Sequence, residues 1–249
     1  MRRMRIYIGF DDTDILGSEF GTGKLVRHFE QKIPAGYRVW GVVRQQLLVD
    51  PAIPYTSHNS SACMVVDTNG PLSIEELIAP AVAHIESAAL PGSDPGLCLA
   101  AADQPALAAL RDFSFQCTAR IVTQNEARQA AAGAHLSGHG GTGDGIIGAA
   151  AAVGLTASGW SGRFIEFSGL RHFAATVTVA ELALAGIRTV SLDRDAFAPR
   201  PEDRVDTKGW LRPRLWGGCA VLPVNPVGPG LWEITGGKRN QHKTKTKED

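Results

Sequence analysis

The stretch "RIYIGFDDTD", residues 5–14, combines a short apolar run with three aspartates. Ile6, Ile8 and Phe10 recur at every second position, which is the spacing of side chains on one face of a β-strand. Three carboxylates follow within four positions. Neighbouring carboxylates repel each other by about 1 to 3 kcal/mol per pair at ~5 Å, depending on exposure. The stretch therefore predicts a buried strand that ends in a turn whose negative charge has to be offset.

Two interpretations of this acidic turn stay open. Aspartates in turns accept hydrogen bonds from nearby backbone amides, and one aspartate is often enough for that purpose. Three of them also form a set of hard oxygen ligands, which suits Mg²⁺ together with water and phosphate. Ligands of open sheets lie beyond the ends of the strands, where these residues fall. The candidate metal ligands are Asp11, Asp12 and Asp14.

The segment "GTGK", residues 21–24, lies at the start of a predicted helix whose apolar face includes Leu25 and Phe29. It is not a Walker A loop, because Ser18 occupies the position of the first glycine and Leu25 that of the Ser or Thr. Glycines at a helix start leave backbone amides open to an anion. Thr22 is therefore either a plain helix cap or a residue that contacts a phosphate.

A second glycine-rich loop, "SGHGGTGDG" at residues 137–145, precedes a helix of small residues at 146–154. Its backbone could approach a phosphate chain, or it could be a flexible surface loop. His135 and His139 are four positions apart and could share a helix face. The glycines after His139 and the lack of a nearby third ligand argue against a zinc site.

The remaining pattern alternates strands and helices, which indicates α/β or α+β sheet layers. Strands are predicted at 37–49, 62–68, 96–101, 118–123, 163–169 and 219–224, and further helices from a Ser73–Glu76 capping box, from Pro105, from Thr123 and at about 179–186. Residues 200–218 resemble a loop. We expect a nucleotide- and metal-binding region at 1–170, a smaller C-terminal part at 171–237 and a polar basic tail at 238–249.

Composition excludes several classes of protein. The 249 residues carry 25 Lys and Arg and 25 Asp and Glu, so there is no overall basic excess of the kind usual in nucleic-acid binders. The four cysteines are far apart and predict reduced, mostly buried thiols. The chain has no signal-peptide core and no run of 18 apolar residues. We therefore expect a cytoplasmic protein with no membrane span.

Five motifs, in order, resemble the archaeal agmatidine synthases, which modify the wobble cytidine of an isoleucine tRNA. "GFDDTD" is similar to the family's G-[IF]-D-D-T-D, and Thr22 falls where the family has a threonine before its first helix. "DPAIPY" (50–55), "GDGIIGAAAAVG" (143–154) and "EFSGLR" (166–171) are similar to three further family motifs. The resemblance extends over nearly all of residues 5–236.

The resemblance implies an α+β fold, with a kinase-like domain that binds ATP and Mg²⁺ and a ferredoxin-like domain, as layered sheets covered by helices. In that family ATP activates the cytidine C2 oxygen by phosphorylation. Asp12 and Thr22 are then the candidate catalytic residues, with Thr22 as a phosphoryl acceptor. The candidate nucleotide-binding residues are Gly21, Gly23, Lys24, His58, Asn59, Gly141, Gly143 and Gly145.

Departures from the family weaken the tRNA assignment. Basic family residues are replaced by Thr56 and His58, and a loop arginine is replaced by Asp144. We expect no counterpart of the family's oligonucleotide-binding barrel and zinc ribbon within these residues. We expect an Mg-dependent, ATP-binding phosphotransferase, ligase-like in its chemistry, that acts on a nucleoside-like or small polar acceptor or on tRNA cytidine. The alternative is a non-catalytic nucleotide- or RNA-binding subunit of a split tRNA-modifying enzyme.

Overall fold

The computed structural model of the chain describes residues 4–56, 58–68, 73–195 and 197–236. Its contacts divide the chain into two units. The first lies within Met1–Ser168 and Arg214–Cys219, and the second within Gly169–Pro213 and Ala220–Asp249. The predicted tail at 238–249 lies outside the described residues.

Strands and helices are numbered along the chain. The strands are β1 (Met4–Asp11), β2 (Tyr37–Gln46), β3 (Ser60–Thr68), β4 (Gly96–Ala101), β5 (His135–Gly138), β6 (Arg163–Glu166), β7 (Thr176–Thr178), β8 (Ile187–Ser191), β9 (Arg204–Asp206), β10 (Arg214–Trp216), β11 (Cys219–Gly228) and β12 (Leu231–Ile234). The helices are α1 (Thr22–Phe29), α2 (Glu75–Ala88), α3 (Ala106–Gln116), α4 (Gln124–Ala130), α5 (Gly145–Ser158) and α6 (Val179–Leu184), with a 3₁₀ turn at Glu30–Lys32.

The sheet of the first unit has the strand order β5-β4-β1-β3-β2-β6-β10. Every pair along it is antiparallel. Helices cover both faces of this sheet, so the unit has three layers. The predicted α+β class is confirmed, because the sheet is antiparallel although strands and helices alternate along much of the chain.

The alternation in β1 separates two apolar cores. Ile6, Ile8 and Phe10 are fully buried together with residues of α1 and α2, which confirms that they share one face. Tyr7 belongs to the opposite core, which is formed with α3, α4 and α5. The first strand is therefore buried on both sides and lies near the middle of the sheet.

Helix α5 packs unusually close to the sheet because small residues meet at the contact. A Cβ atom at Gly9 of β1 would lie 2.2 Å from the Ala149 carbonyl oxygen, and one at Gly96 of β4 would lie 2.1 Å from the Gly145 carbonyl carbon. No larger side chain fits at either position without movement of backbone. Almost the whole helix is buried, which explains why its sequence shows no polar face.

Several predicted elements differ from the structure. Residues 118–123 form no strand; Thr118 and Arg120 instead donate backbone hydrogen bonds into the last turn of α3, so an exposed β-branched run serves as a connection. The Ser73–Glu76 capping box is absent, because the Ser73 hydroxyl accepts the Glu75 amide and α2 begins at Glu75. The Thr123–Glu126 capping box is present as predicted.

The ends of two strands were predicted too far along the chain. Strand β2 ends at Gln46 and β6 at Glu166, each short of its predicted end. His135 begins strand β5 and does not lie on a helix, so it shares no helix face with His139. Strands β9 and β10 lie in the segment predicted as a loop and have three residues each, too few for a detectable alternation.

The second unit contains the strand order β8-β11-β12-β9-β7 and helix α6. The predicted helix at about 179–186 and strand at 219–224 are both confirmed. Strand β8 pairs parallel with β11, and β12 pairs parallel with β9. The core of the second unit contains Leu182, Val205 and Trp232. The Trp232 indole donates a hydrogen bond to Asp203 at 2.8 Å.

The cysteines agree with the prediction of free thiols. Cys63, Cys98 and Cys117 are buried and Cys219 is half-buried, and none forms a disulfide. Burial raises the pKa of the Cys63 and Cys117 thiols to about 12, so both are protonated at neutral pH. In the part of the chain that the structure describes, no helix is both long enough and apolar enough to cross a bilayer.

The close contact between β4 and α5 predicts a position-specific effect of adding one methyl group. Gly96→Ala should destabilise the protein by at least ~2 kcal/mol, because the new Cβ would overlap backbone. Gly138 pairs with Gly96 across the sheet, and its Cβ would meet only atoms at 3.5 Å or more. Gly138→Ala should therefore change stability by less than ~0.5 kcal/mol. Urea unfolding followed by circular dichroism compares the two; equal effects would contradict the close packing.

Candidate functional site

The acidic turn leaves β1 at Asp11 and is tied by its backbone to the segment that precedes β4. The Asp12 carbonyl accepts the Asp94 amide, and the Thr13 carbonyl accepts the Leu90 amide, both at 3.1 Å. Because the Asp94 side chain also binds the loop that leads into α5, these bonds hold the turn beside that loop. The structure therefore brings the N-terminal acidic turn close to the second glycine-rich segment, about 130 positions away in the sequence.

Asp14 and Thr22 form a hydrogen-bonded pair. The Thr22 hydroxyl is 3.3 Å from Asp14 Oδ1 and accepts the Thr13 amide at 3.2 Å. The Thr56 hydroxyl is 3.4 Å from Asp14 Oδ2. Thr22 is the first residue of α1 and is 7% exposed. A hydroxyl that donates to a nearby carboxylate is one geometry in which a carboxylate can act as a general base.

The carboxyl group of Asp11 lies against helix α5. An added Cβ at Gly148, in the first turn of α5, would fall 1.7 Å from Asp11 Oδ2. Burial of this carboxyl, and then the charge of Asp12, raise its pKa to about 8, although a backbone hydrogen bond at Asp12 works in the opposite direction. The charges of Asp14 and Asp94 are smaller contributions to the same rise. Asp11 is therefore largely protonated below about pH 8 in the ligand-free chain.

Asp12 occupies a left-handed backbone conformation, with φ of 48°. Aspartate and asparagine tolerate this region better than other residues with a Cβ. Burial raises the Asp12 pKa to about 6, and the charges of Asp94, Asp14 and Asp144 add to the rise. Groups with strongly shifted pKa values mark candidate functional sites, with structural ion networks as the usual alternative.

Asp94 binds the second glycine loop through consecutive backbone amides. Its carboxylate accepts the amides of Thr142 at 3.0 Å, Gly143 at 2.8 Å and Asp144 at 3.0 Å, together with the Thr142 hydroxyl at 2.6 Å. Burial acts to raise the Asp94 pKa, but these hydrogen bonds outweigh it and lower the pKa. In this structure the anion held by the loop amides is a side chain of the protein itself.

The other candidate residues fall into two groups. Gly21 adjoins the Asp14 carboxylate, which an added Cβ would meet at 3.4 Å. Gly141, Gly143 and Gly145 all adjoin Asp94 or its loop contacts, and Gly141 and Gly143 have positive φ.

The second group points elsewhere. Lys24 is exposed, with its ammonium 4.9 Å from the Phe20 ring, and Gly23 faces Ile165 of β6. His58 is exposed. The Asn59 side chain donates to the Leu48 carbonyl at 2.6 Å, so it ties together the chain between β2 and β3.

The carboxylates fit the oxygen-donor chemistry of Mg²⁺, which takes one or two protein carboxylates and completes its shell with water and phosphate. The charges of Asp14 and Asp94 are close enough to raise the pKa values of Asp11 and Asp12. Within residues 4–56, 58–68, 73–195 and 197–236, no three His, Cys, Asp or Glu side chains form a ready-made metal site. A metal ion held by these residues would need further ligands, such as water or phosphate.

Sequence reasoning missed two residues of this site. Asp94 precedes the β4 strand in "DPG" and is 48 to 50 positions from the amides that it binds, so no local spacing links them. Gly148 was visible only as one small residue in a run of small residues. Its role in leaving room for the Asp11 carboxyl depends on the packing of α5 against β1.

Removal of the Asp94 carboxylate should destabilise the loop in a pH-dependent way. The Asp94 pKa is lower in the folded than in the unfolded chain. The Asp94 carboxylate therefore stabilises the folded state above about pH 4, and this contribution disappears as the pH falls through the lowered pKa. We expect Asp94→Ala to lose about 1 to 3 kcal/mol at pH 7 and much less at pH 3. Urea titrations at both pH values test this. The exposed control Asp103→Ala should lose little at either, and an equal loss in both variants would contradict the assignment.

Asp12 should have the opposite pH dependence. Its folded pKa is raised, so the folded chain binds the proton more tightly and its stability falls as the pH rises from about 4 to about 6. Asp12→Asn should therefore stabilise the protein by about 1 kcal/mol or more at pH 8 and have little effect at pH 4. Unfolding is measured in EDTA at the two pH values. A variant that is less stable than wild type at pH 8 would show that Asp12 is not under electrostatic strain.

Comparison with known proteins identifies structural neighbours but no sequence family. No protein-family model and no curated protein sequence matches the chain. Similar solved structures include apo TiaS, an agmatidine synthetase for an isoleucine tRNA, at 22% identity and a TM-score of 0.48, covering 60% of this chain and 35% of that one. The complex of TiaS with that tRNA and ATP is similar at 23% identity and a TM-score of 0.49, covering 61% and 36%. A tRNA fluorescent labeling enzyme is similar at 22% and 0.49, covering 60% and 36%. The chain thus spans about a third of the length of these proteins.

Proposed function

We propose that this chain is an Mg²⁺-dependent, ATP-binding phosphotransferase that activates a nucleoside-like or small polar acceptor by phosphorylation. The hydrogen bond between Thr22 and Asp14 carries the proposal, because it pairs a hydroxyl with a carboxylate inside a crowded acidic turn. The sequence resemblance of "GFDDTD" and "GDGIIGAAAAVG" to the agmatidine synthases supports the same chemistry.

The acidic turn would hold the metal and the helix start would receive the phosphates. Asp11, Asp12 and Asp14 are the proposed ligands, and Mg²⁺ bound there would offset the negative charge of a triphosphate. The amides at Gly21 and Gly23 open α1, and a helix N-terminus favours an anion. Gly143 has its amide bonded to Asp94, so a phosphate at that amide would first displace Asp94. We therefore propose the α1 end as the site of the phosphate chain.

Thr22 is the proposed first acceptor of the phosphoryl group. Its hydroxyl oxygen would form a bond to the γ-phosphorus of ATP, the bond from that phosphorus to the bridging oxygen would break, and ADP would leave. Asp14 would take the hydroxyl proton. A second transfer would move the phosphoryl group from Thr22 to an oxygen of the acceptor. A positioned general base contributes about 10²- to 10⁴-fold in rate to a step of this kind.

A non-catalytic nucleotide- or RNA-binding subunit is the alternative function. The specific observation that favours it is the carboxylate of Asp94, which already fills the loop amides at 142–144 and places negative charge beside Asp144. Such a subunit would be stabilised by nucleotide but would not label Thr22.

The decisive test follows transfer from γ-labelled ATP. Wild type incubated with Mg²⁺ and labelled ATP should acquire phosphothreonine at Thr22, mapped by mass spectrometry. Thr22→Val should lose the label, whereas the exposed strand control Thr176→Val should retain it. Asp14→Asn should slow labelling by about 100-fold or more.

Thermal shift measurements separate the alternatives. ATP with Mg²⁺ should raise the melting temperature of wild type more than ATP or Mg²⁺ alone. Stabilisation without labelling would favour the binding subunit. If ATP with Mg²⁺ gave no thermal stabilisation and no heat of binding in calorimetry, both functions would be rejected.

A further inference from the structure

Three arginines lie directly opposite one another on adjacent strands of the first unit. Arg44 of β2 pairs in register with Arg163 of β6, and Arg163 pairs in register with Arg214 of β10. Directly opposed residues of antiparallel strands project from the same face of the sheet. The three side chains therefore form a transverse series, here called the arginine row (Arg44, Arg163 and Arg214).

The register also fixes where the arginine row lies. Arg44 is opposite Ala62 of β3, and Ala62 is opposite Phe10 of β1. The row thus continues the line of Phe10, the residue just before Asp11, toward the β10 side of the sheet. It lies at the same end of β1 as the acidic turn. From a strand spacing of about 4.8 Å, its first member is ~10 Å from β1 and the row is ~10 Å long.

In the described part of the chain, the arginine row carries positive charge that no ion pair with a carboxylate offsets. Burial and the charge of Arg163 lower the pKa of both Arg44 and Arg214. Arg163 is exposed, and the other two are half-buried. Like charges directly opposite each other destabilise a sheet, so the row has an energetic cost in the ligand-free chain.

An aromatic ring lies at one end of the arginine row. The Arg214 guanidinium is 5.2 Å from the centre of the Trp216 ring, and Trp216 is half-buried. Guanidinium groups bind phosphate through two parallel hydrogen bonds, and a row of them fits several phosphates in succession better than a single one. An adjacent aromatic surface suits a ligand that also carries a planar group.

We propose that Arg44, Arg163 and Arg214 bind a chain of successive phosphate groups. A polyphosphate and a phosphodiester backbone share this chemistry. The site is separate from the acidic turn, since it uses guanidinium groups and requires neither Mg²⁺ nor Thr22. It does not rest on the proposed phosphotransferase activity.

The test uses the full chain in EDTA with two probes, inorganic tripolyphosphate by calorimetry and a fluorescein-labelled ten-nucleotide RNA by anisotropy at low salt. For whichever probe binds wild type, Arg163→Ala should lower the affinity by about 10-fold or more. It should also raise the melting temperature of the ligand-free protein by about 1 to 3 °C, because repulsion is removed. Arg194→Ala is the matched control, since it removes the same charge from a side chain that is 94% exposed in the second unit.

The two probes identify the source of the phosphates. Binding of tripolyphosphate alone assigns the arginine row to a polyphosphate. Binding of the RNA assigns the arginine row to a phosphodiester backbone. In that case the slope of log affinity against log salt concentration should decrease by about one in Arg163→Ala, because one phosphate contact is lost. The proposal is overturned if neither probe binds wild type, if the two variants bind equally, or if Arg163→Ala lowers the melting temperature.

Discussion

The close contact of helix α5 with strands β1 and β4 is the constraint on which the first unit depends. Gly9 and Gly96 in the strands allow the helix backbone to come close. Gly145 and Gly148 in the helix have no side chain that would prevent this approach. A consequence of this approach is that the end of β1 is brought against the first turn of α5. The acidic turn is therefore held close to a glycine-rich loop by packing, since the close-packed interior leaves no space for the helix to shift.

Within this frame, negative charge is distributed unequally. Asp94 is satisfied by three backbone amides and a hydroxyl, and these hydrogen bonds lower its pKa. Asp11 and Asp12 instead have raised pKa values, because they are partly desolvated and lie near other carboxylates. The electrostatic repulsion is therefore greatest at these two aspartates, which lie nearest the end of β1. A proton or a bound cation would therefore stabilise these two carboxyl groups, whereas the loop amides at 142–144 already bind the Asp94 carboxylate.

Positive charge is crowded at a second place in the same sheet, in the arginine row. The arginine row concentrates positive charge on β2, β6 and β10, while the acidic turn concentrates negative charge beyond β1. The formal net charge of zero hides this separation. The crowding of like charges within each of the two clusters lowers the stability of the ligand-free chain.

Local sequence determined the elements whose signals span a few neighbouring positions. The alternation of Ile6, Ile8 and Phe10 predicted the first strand, the small residues from Ile146 predicted α5, and Thr123 with Glu126 predicted a capped helix. The hydrogen bond of Thr22 to Asp14 joins residues that the sequence had already singled out as candidates. Tertiary structure decided the rest, including the bond of Asp94 to a loop 48 positions away and the alignment of Arg44, Arg163 and Arg214. The reason is physical: side-chain periodicity is a property of neighbouring residues, whereas strand register and close helix packing join residues whose separation along the chain carries no trace of their contact.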